Sequence, residues 1–279
     1  MPYLETQGRP RLYYELDDYT DPWRNAPFLI LQHGFSRSSR FWYSWVPYLS
    51  RFYKVVRPDL RGLGKSTANF GQRTDLAEVF IEDLTAIIDA LGAESVHYCG
   101  EAFGGIVGMA FAGTCPERVR TLSLVSAPLY LSDHEKQSTT YGYSSRIEAL
   151  QKMGARAWAE ASNAGRRFPP DADPGMLRWY VDQMGQSDIE VLVAITRWLS
   201  GASVVPYLPK IKAPVLGLYA SQGPIIDGEQ LRLLREQVRD IRIVRVPSRY
   251  QSIQNFEPAA CALEVLHFVA QHDGIACHE

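Results

Sequence analysis

A short glycine-rich segment, Cys99 to Gly105, constrains the fold of this chain more than any other feature. It reads Cys-Gly-Glu-Ala-Phe-Gly-Gly and directly follows an apolar run of the kind that forms a buried strand. Gly100 and Gly104 flank Ala102 at the spacing of a sharp turn from a strand into a helix, because only glycine lets the two backbone segments pass so closely. The segment therefore predicts a strand–turn–helix unit with Ala102 at the turn.

The rest of the chain alternates between short apolar runs and amphipathic segments. Runs that are apolar on both faces and separated by helices are typical of a mostly parallel sheet with helices on both sides. The clearest helix starts near Asp75, carries an apolar stripe from Leu76 to Leu91 and stops at Gly92. The sequence thus predicts an α/β fold with a doubly wound, mostly parallel sheet. The strand-like runs are 28–31, 53–56, 95–99, 119–125, 215–219 and 241–246.

The alternation stops between about Pro128 and Pro206. Strand-like runs vanish there, and helical segments rich in tryptophan and tyrosine are interrupted by prolines. At 279 residues the chain fits one large α/β domain with an insertion, or two modest domains. We favour the first and predict a core of residues 1–127 and 207–279, with residues 128–206 inserted as a helical cap between the sixth and seventh strands. Most of the tryptophans are expected to pack in the cap's own small core.

Charge and cysteine content exclude several classes of protein. The formal net charge is −2, and lysines and arginines do not gather into a run, which argues against binding to nucleic acid or to an anionic membrane. The four cysteines lie far apart without C-x-x-C spacing, which argues against a zinc site and against a small disulfide framework. We expect no metal or organic cofactor and a small-molecule partner.

Segments for export or membrane insertion are not evident either. The first residues lack a basic region followed by an apolar stretch, and no run of about 18 apolar residues occurs. We therefore expect a cytoplasmic protein. The sequence leaves the oligomeric state open, with a homodimer as one alternative.

The triplet His33-Gly34-Phe35 directly follows an apolar strand. A backbone N–H just after such a strand supplies one donor of an oxyanion hole in acyl-transfer enzymes. Alone, the triplet is equally compatible with a tight turn that happens to contain histidine.

The segment from Asp59 to Ser66 has the form D-x-R-G-x-G-x-S. Its Gly-Lys-Ser end is similar to a phosphate-binding loop, but that motif needs glycine where Asp59 stands. The sequence favours a structural turn in which Asp59 and Arg61 fix the loop through hydrogen bonds.

Together, these motifs resemble the α/β-hydrolase superfamily over nearly the whole chain. The resemblance rests on His33-Gly34, the Asp59–Ser66 segment, the turn at Ala102 and the pattern around Pro258. The inserted segment resembles the helical cap of enol-lactone hydrolases and meta-cleavage C–C hydrolases. The resemblance implies a protein of the hydrolase class that acts on or binds a small ester, a lactone or a related carbonyl compound.

The family's three catalytic positions are all substituted. By resemblance, the nucleophile position is Ala102, the acid position is Gly223 and the histidine position is Gln251. Catalysis by a serine triad needs an oxygen nucleophile, an imidazole that takes its proton and a carboxylate that orients the ring. The chain should therefore not be a competent serine hydrolase. The nearest carboxylate to the acid position is Asp227.

The resemblance also implies that the machinery for binding an anion is retained. The backbone N–H groups of Phe35 and Phe103 would form the oxyanion hole, the latter at the positive end of a helix. Cap aromatics would supply an apolar pocket, and neutral hydrogen bonds would replace charges there. Besides Gln251, the candidate ligand contacts are His33, Gly34, Glu101, Ser221, Gln222, Tyr250 and His134.

Other residues offer alternative acids or bases. Asp133 and His134 lie just beyond the sixth strand, where some members of the superfamily carry their acid, although such a pair is more often a solvated loop or a helix cap. Glu101 is expected to be a buried, hydrogen-bonded carboxylate rather than a base. The remaining histidines are interpreted as a core residue (His97), a packing or surface residue (His267) and members of a mobile tail (His272, His278).

Three functions are compatible with the sequence. The first is a hydrolase whose serine is replaced by alanine. The second is nucleophile-free chemistry, such as proton transfer, decarboxylation, dehydration or cyclisation of an enolisable compound at the oxyanion hole. The third is a binding protein that retains the pocket without the reaction.

Overall fold

The computed structural model describes residues 3–5, 10–163, 166–223 and 225–277, and within them eight strands form one sheet. The strand order is β1-β2-β4-β3-β5-β6-β7-β8, antiparallel from β1 to β4 and parallel from β4 to β8. The predicted mostly parallel sheet is confirmed. The strands are β1 Tyr3–Leu4, β2 Leu12–Asp17, β3 Phe28–Gln32, β4 Lys54–Pro58, β5 Val96–Glu101, β6 Val119–Val125, β7 Val215–Ala220 and β8 Ile241–Val246.

The described residues also form ten α-helices and three short 3₁₀ segments. The helix predicted from Asp75 is confirmed as α2, and the Asp75 carboxylate caps it by accepting a hydrogen bond from the Ala77 N–H at 2.9 Å. The helices are α1 Val46–Leu49, α2 Leu76–Ala90, α3 Phe103–Thr114, α4 Asp133–Ser138, α5 Arg146–Asn163, α6 Pro174–Met184, α7 Ile189–Leu199, α8 Gly228–Gln237, α9 Ile253–Phe256 and α10 Pro258–Asp273.

Both faces of the sheet are buried, as the apolar runs predicted. In β3, Leu29 and Leu31 belong to one core cluster, which includes residues of α10, whereas Ile30 belongs to the other, which includes residues of α2 and α3. Strands β1 and β2 were not among the runs read from the sequence. The reason is that β2 reads Leu-Tyr-Tyr-Glu-Leu-Asp, so only its first residues are buried and it lacks a continuous apolar run.

Helices α4 to α7 lie between β6 and β7, where the insertion was predicted. Their aromatic side chains do not form a separate core, because they belong to the same buried cluster as one face of the sheet. Trp158 contacts Phe35 edge-on, and Trp198 contacts Phe103 in the same way. The expectation that the tryptophans mainly fill a core of their own is therefore corrected: these short amphipathic helices bury their apolar faces against the loops of the sheet.

Two negative findings apply to the described part of the chain. No helix there is both long and apolar enough to cross a bilayer. Nor does that part contain a cluster of three or more histidine, cysteine, aspartate or glutamate side chains arranged to hold a metal ion.

Candidate functional site

The turn between β5 and α3 holds Ala102 in a conformation that L-residues rarely adopt. Its φ is 47° and its ψ is −110°, and its N–H donates to the Val125 carbonyl at 2.9 Å. Such backbone strain costs about 1–3 kcal/mol and persists only where the surroundings enforce it. The surroundings enforce it at Ala102, because the backbone segments on either side approach each other so closely that a Cβ on Gly100 would lie 2.4 Å from the Gly104 carbonyl oxygen. The predicted strand–turn–helix unit is thus present, with a methyl group at the turn.

Ala102 lines a small cavity of about 50 Å³ at the carboxyl edge of the parallel strands. Loops after β3, β5, β6, β7 and β8 and the helices α4, α5 and α7 all contribute to its wall. This is the edge of an open α/β sheet at which ligands bind. The described lining residues are Phe35, Arg37, Ala102, Phe103, Ile106, Pro128, Leu131, Glu135, Thr139, Arg146, Trp158, Arg166, Arg167, Leu199, Ile225 and Gln251.

Positive charge dominates this wall. Of the four arginines among the described lining residues, Arg166 forms an ion pair with Glu135, and Arg37 forms one with Glu101. Within the described residues, Arg146 and Arg167 make no ion pair at all. Arg167 instead donates to the side-chain oxygens of two residues at the end of α5, Ser162 and Asn163.

The unpaired guanidinium groups lie against aromatic rings. The Arg146 Cζ is 4.3 Å from the Phe35 ring centroid and 5.0 Å from that of Trp158. Burial lowers the pKa of Arg146 to about 9, and repulsion by its arginine neighbours acts in the same direction. Burial likewise lowers the pKa of Arg167 to about 10. In both cases burial outweighs the opposing influences, which for Arg146 include the Glu135 carboxylate.

The residue at the predicted histidine position lies on the same cavity as Ala102. Gln251 is 4% exposed, and its Oε1 atom is buried without a hydrogen-bond partner. Its backbone N–H donates to the Arg166 carbonyl at 3.1 Å, and its own carbonyl accepts from Ser126 Oγ at 2.8 Å. The backbone at position 251 is therefore fixed, while the side-chain amide has hydrogen-bonding capacity to spare.

The predicted acid position does not reach this cavity. Gly223 is absent from the described lining residues, and a Cβ there would lie 2.7 Å from the Cβ of Ala220. The alternative acid, Asp227, is exposed and caps α8 by accepting from the Gln230 N–H. Ala102 and Gln251 are thus brought together without a carboxylate at the third position.

Several predicted ligand contacts are engaged elsewhere and need correction. The His33 ring lies outside the cavity wall and accepts from the Leu60 N–H through Nε2 at 3.0 Å, with Nδ1 2.8 Å from the Gly34 carbonyl. Burial lowers the pKa of His33 to about 4, so this imidazole is neutral. Glu101 is buried against Arg37, as expected of a structural carboxylate, and is not part of the described wall either.

The predicted neutral contacts lie largely in solvent. Ser221 and Gln222 are exposed, and the Ser221 hydroxyl donates to the Ser248 carbonyl. Tyr250 is half-buried, and its hydroxyl accepts from the Arg249 guanidinium at 3.0 Å. None of these residues belongs to the described wall. Of the predicted neutral contacts, Gln251 alone belongs to the described wall, and four arginines lie there as well.

The residues of α4 that were predicted from the sequence do not line the cavity. His134 and Asp133 are both exposed, whereas the next residue, Glu135, is 4% exposed and lines the cavity. Ser132 caps α4 by accepting from the Glu135 N–H at 3.2 Å, which sets this orientation. The arginine wall was missed as well, although the Arg166-Arg167 doublet inside an aromatic-rich segment was a usable signal.

Two other interpretations are confirmed as structural. Asp59 accepts from the Ser39 N–H at 2.5 Å and from the Lys65 N–H at 2.8 Å, so it fixes the turn as predicted. His97 is a core histidine whose ring lies 2.9 Å from Thr121 Oγ1. His267 is exposed on α10, which agrees with its interpretation as a surface residue. His272 also lies on α10 and not in a tail, and His278 lies outside the described residues.

Comparison with known proteins agrees with this architecture. A family model of the α/β-hydrolase fold matches residues 27–258. A putative carbamate hydrolase RutD from Azorhizobium caulinodans is 34% identical over 128 residues, which are 45% of this chain and 44% of that protein. Epoxide hydrolase 4 from Mus musculus is 35% identical over 108 residues, 38% of this chain and 29% of that protein. The matches thus span less than half the length of these two relatives.

A solved structure extends the likeness over nearly the whole chain. The enol-lactonase from Burkholderia xenovorans LB400 superposes with a TM-score of 0.82 at 24% sequence identity, covering 96% of this chain and 100% of that chain. At this identity the likeness concerns the fold. It includes the helices between β6 and β7, because nearly all of both chains is covered.

Proposed function

Because the chain belongs to the α/β-hydrolase family, we propose that it acts on a small carbonyl compound without forming a covalent acyl-enzyme. The observation that carries this proposal is the turn at Ala102, which keeps its strained geometry beside a cavity but presents only a methyl group. Gln251 lies on the same cavity and cannot act as a base. Relatives named carbamate hydrolase, epoxide hydrolase and enol-lactonase support a small substrate.

The retained turn has a chemical use even without a nucleophile. In our proposal the backbone N–H groups of Phe103 and Phe35 hold a carbonyl oxygen, and the positive end of α3 adds to the potential there. Such a site stabilises negative charge that develops on the oxygen when a neighbouring proton or carboxyl group is lost. The reaction class is thus enolisation or decarboxylation. Helices α4 to α7 would act as the cap that excludes water.

Glu135 is the residue we assign to proton transfer. It is the single carboxylate among the described lining residues, and its Oε1 atom is buried without a hydrogen-bond partner. Arg166 pairs with its other oxygen, so the buried carboxylate has a counterion. A proton taken from carbon next to the carbonyl would go to Glu135 and return to the product.

A second candidate is a ligand-binding protein with no reaction. The observation that favours it is Gly223, where a side chain at the acid position has no room without a shift of its loop. Binding of a carbonyl compound without any turnover would support this candidate against the enzyme.

Ala102→Ser tests the proposal against a hydrolase that has merely lost its serine. With Gln251 in the histidine position, the new hydroxyl has no base to take its proton, so we expect no gain in hydrolysis of short-chain p-nitrophenyl esters or lactones. Intact-protein mass spectrometry after fluorophosphonate treatment should likewise show no adduct. The double variant Ala102→Ser/Gln251→His is the positive control, and slow labelling is expected there. Rapid ester turnover by the single variant would refute the proposal.

A further inference from the structure

We propose that the cavity recognises a carboxylate group through Arg146 and Arg167, so that the substrate is a small oxo acid. This inference rests on the proposed function and names its substrate class. It starts from the charge balance around the cavity: of the four arginines on the described wall, Arg37 pairs with Glu101, which lies outside the wall, and Arg166 pairs with Glu135. The other two arginines form no ion pair within the described chain.

A buried charge without a partner is costly, and proteins rarely keep one without a use. Arg167 is 8% exposed, and its Nε atom is buried with no hydrogen-bond partner. The Nε of Arg146 is in the same state, as is the amide oxygen of Gln251. Arg37, Arg166 and Glu135, which also line the cavity, have buried atoms without a partner too, but each of them is engaged in an ion pair. Arg146 and Arg167 are the lining side chains of the described chain that combine unused hydrogen-bonding capacity with a positive charge in no ion pair. An anion would satisfy both guanidinium groups at once.

The guanidinium groups are held in place before any ligand arrives. Phe35 and Trp158 lie against Arg146, and Arg167 lies 5.6 Å from the Trp158 ring centroid while bonded to Ser162 and Asn163. Fixed orientation reduces the entropy lost on binding and lets a planar guanidinium meet a planar carboxylate with two parallel hydrogen bonds.

The proposed function decides which anion is expected. Guanidinium groups pair with phosphate as well as with carboxylate, but the proposed function places a carbonyl group in the same cavity. Ala102, Arg146 and Arg167 all line that cavity. A small oxo acid would place its carbonyl at the turn and its carboxylate on the two arginines.

Titration calorimetry on the full chain tests the inference with acetate and pyruvate as probes, acetamide as the neutral probe of similar shape and inorganic phosphate as the competing anion. Arg146→Gln and Arg167→Gln are expected to weaken pyruvate binding about tenfold to a hundredfold, since each removes a charge-assisted hydrogen bond. Arg156→Gln is the matched control, because Arg156 lies on α5 with a 65% exposed side chain paired to Asp182. It should bind pyruvate like the unmodified protein.

Four results would overturn the inference. They are equal binding of acetate and acetamide, carboxylate affinity unchanged in both cavity variants, phosphate bound more tightly than either carboxylate, and no binding by any of the probes.

A second test of the inference measures a reaction rate instead of an affinity. For the thiol introduced by Ala102→Cys, we consider the ratio of its reaction rate with iodoacetate to its rate with iodoacetamide. This ratio should be about ten times that of a free thiol, because the arginine wall attracts the anionic reagent. The unmodified protein gives the background from its own four cysteines. Adding Arg146→Gln and Arg167→Gln should return the ratio to that of a free thiol. A purely structural role of these arginines would leave the ratio unchanged and lower the stability.

The inference and the proposed function fail separately. Carboxylate binding that depends on Arg146 and Arg167 without any turnover would sustain the inference and refute the enzymatic proposal. Turnover of neutral ketones, with no preference for oxo acids, would sustain the enzymatic proposal and refute the inference.

Discussion

Gly104→Ala is expected to destabilise the protein by about 3 kcal/mol or more, because overpacking at rigid backbone is among the costliest single changes. An added Cβ would lie 2.4 Å from the Gln32 carbonyl oxygen and 2.6 Å from the His33 carbonyl oxygen. Neither atom can move without disturbing β3 or the loop after it. The higher helix propensity of alanine, worth about 1 kcal/mol, does not offset this contact. Urea denaturation followed by circular dichroism measures the loss.

Gly201→Ala is the matched control for this change. Nothing lies within 4 Å of a Cβ built on Gly201, so its free energy of unfolding should stay within about 0.5 kcal/mol of the original. Equal stability of the two variants would mean that α3 does not approach β3 as closely as described. The turn at Ala102 would then lose its support as a fixed element of the site.

Glu101→Gln is expected to cost about 3–5 kcal/mol, the usual loss when one partner of a buried ion pair is removed. The Arg37 and Glu101 side chains are each 2% exposed, so the remaining guanidinium would stay out of water without a counterion. Glu101 ends β5 next to Ala102 and Arg37 lines the cavity, so the pair joins the turn to the wall. Thermal and urea unfolding give the loss.

The control for this pair is Glu78→Gln, since Glu78 pairs with Arg73 at the surface, where the two side chains are 64% and 42% exposed. A surface pair contributes about 0–1 kcal/mol, so little change is expected. Replacing both buried partners, as Arg37→Met/Glu101→Leu, should recover much of the stability that Glu101→Gln loses, because no charge is then left unpaired. Similar losses from Glu78→Gln and Glu101→Gln would contradict this account.

The fold was predictable wherever local patterns specify it. The apolar stripe after Asp75 and the glycines around Ala102 gave α2 and the turn, because helix capping and close backbone approach depend on residues near in sequence. Strand β2 was missed because it is only partly buried and its polar residues interrupt the apolar pattern. Its place in the sheet depends on pairing with β4, which lies about 40 residues later and leaves no local signal.

The site was only half predictable. The positions of Ala102 and Gln251 followed from motif spacing, but the arginine wall is assembled from residues that have no common motif. Arg37 follows β3, Arg146 begins α5, and Arg167 follows its end. Which residue of a helical turn faces the cavity also depends on the N-terminal capping residue of that helix, so Glu135 rather than His134 lines the cavity. Such choices are made by tertiary packing.

The chemistry at the turn is the central claim, and proton NMR in D₂O tests it directly. The purified protein would be incubated with pyruvate, 2-oxobutyrate, acetoacetate and oxaloacetate, each compared with the same mixture without protein. We predict faster exchange of the protons next to the carbonyl, or faster loss of the carboxyl group, for at least one acid. Ala102→Leu, which fills the cavity, should restore the uncatalysed rate. Oxo acids that bind in the cavity and yet exchange or decarboxylate no faster than in buffer would contradict the claim.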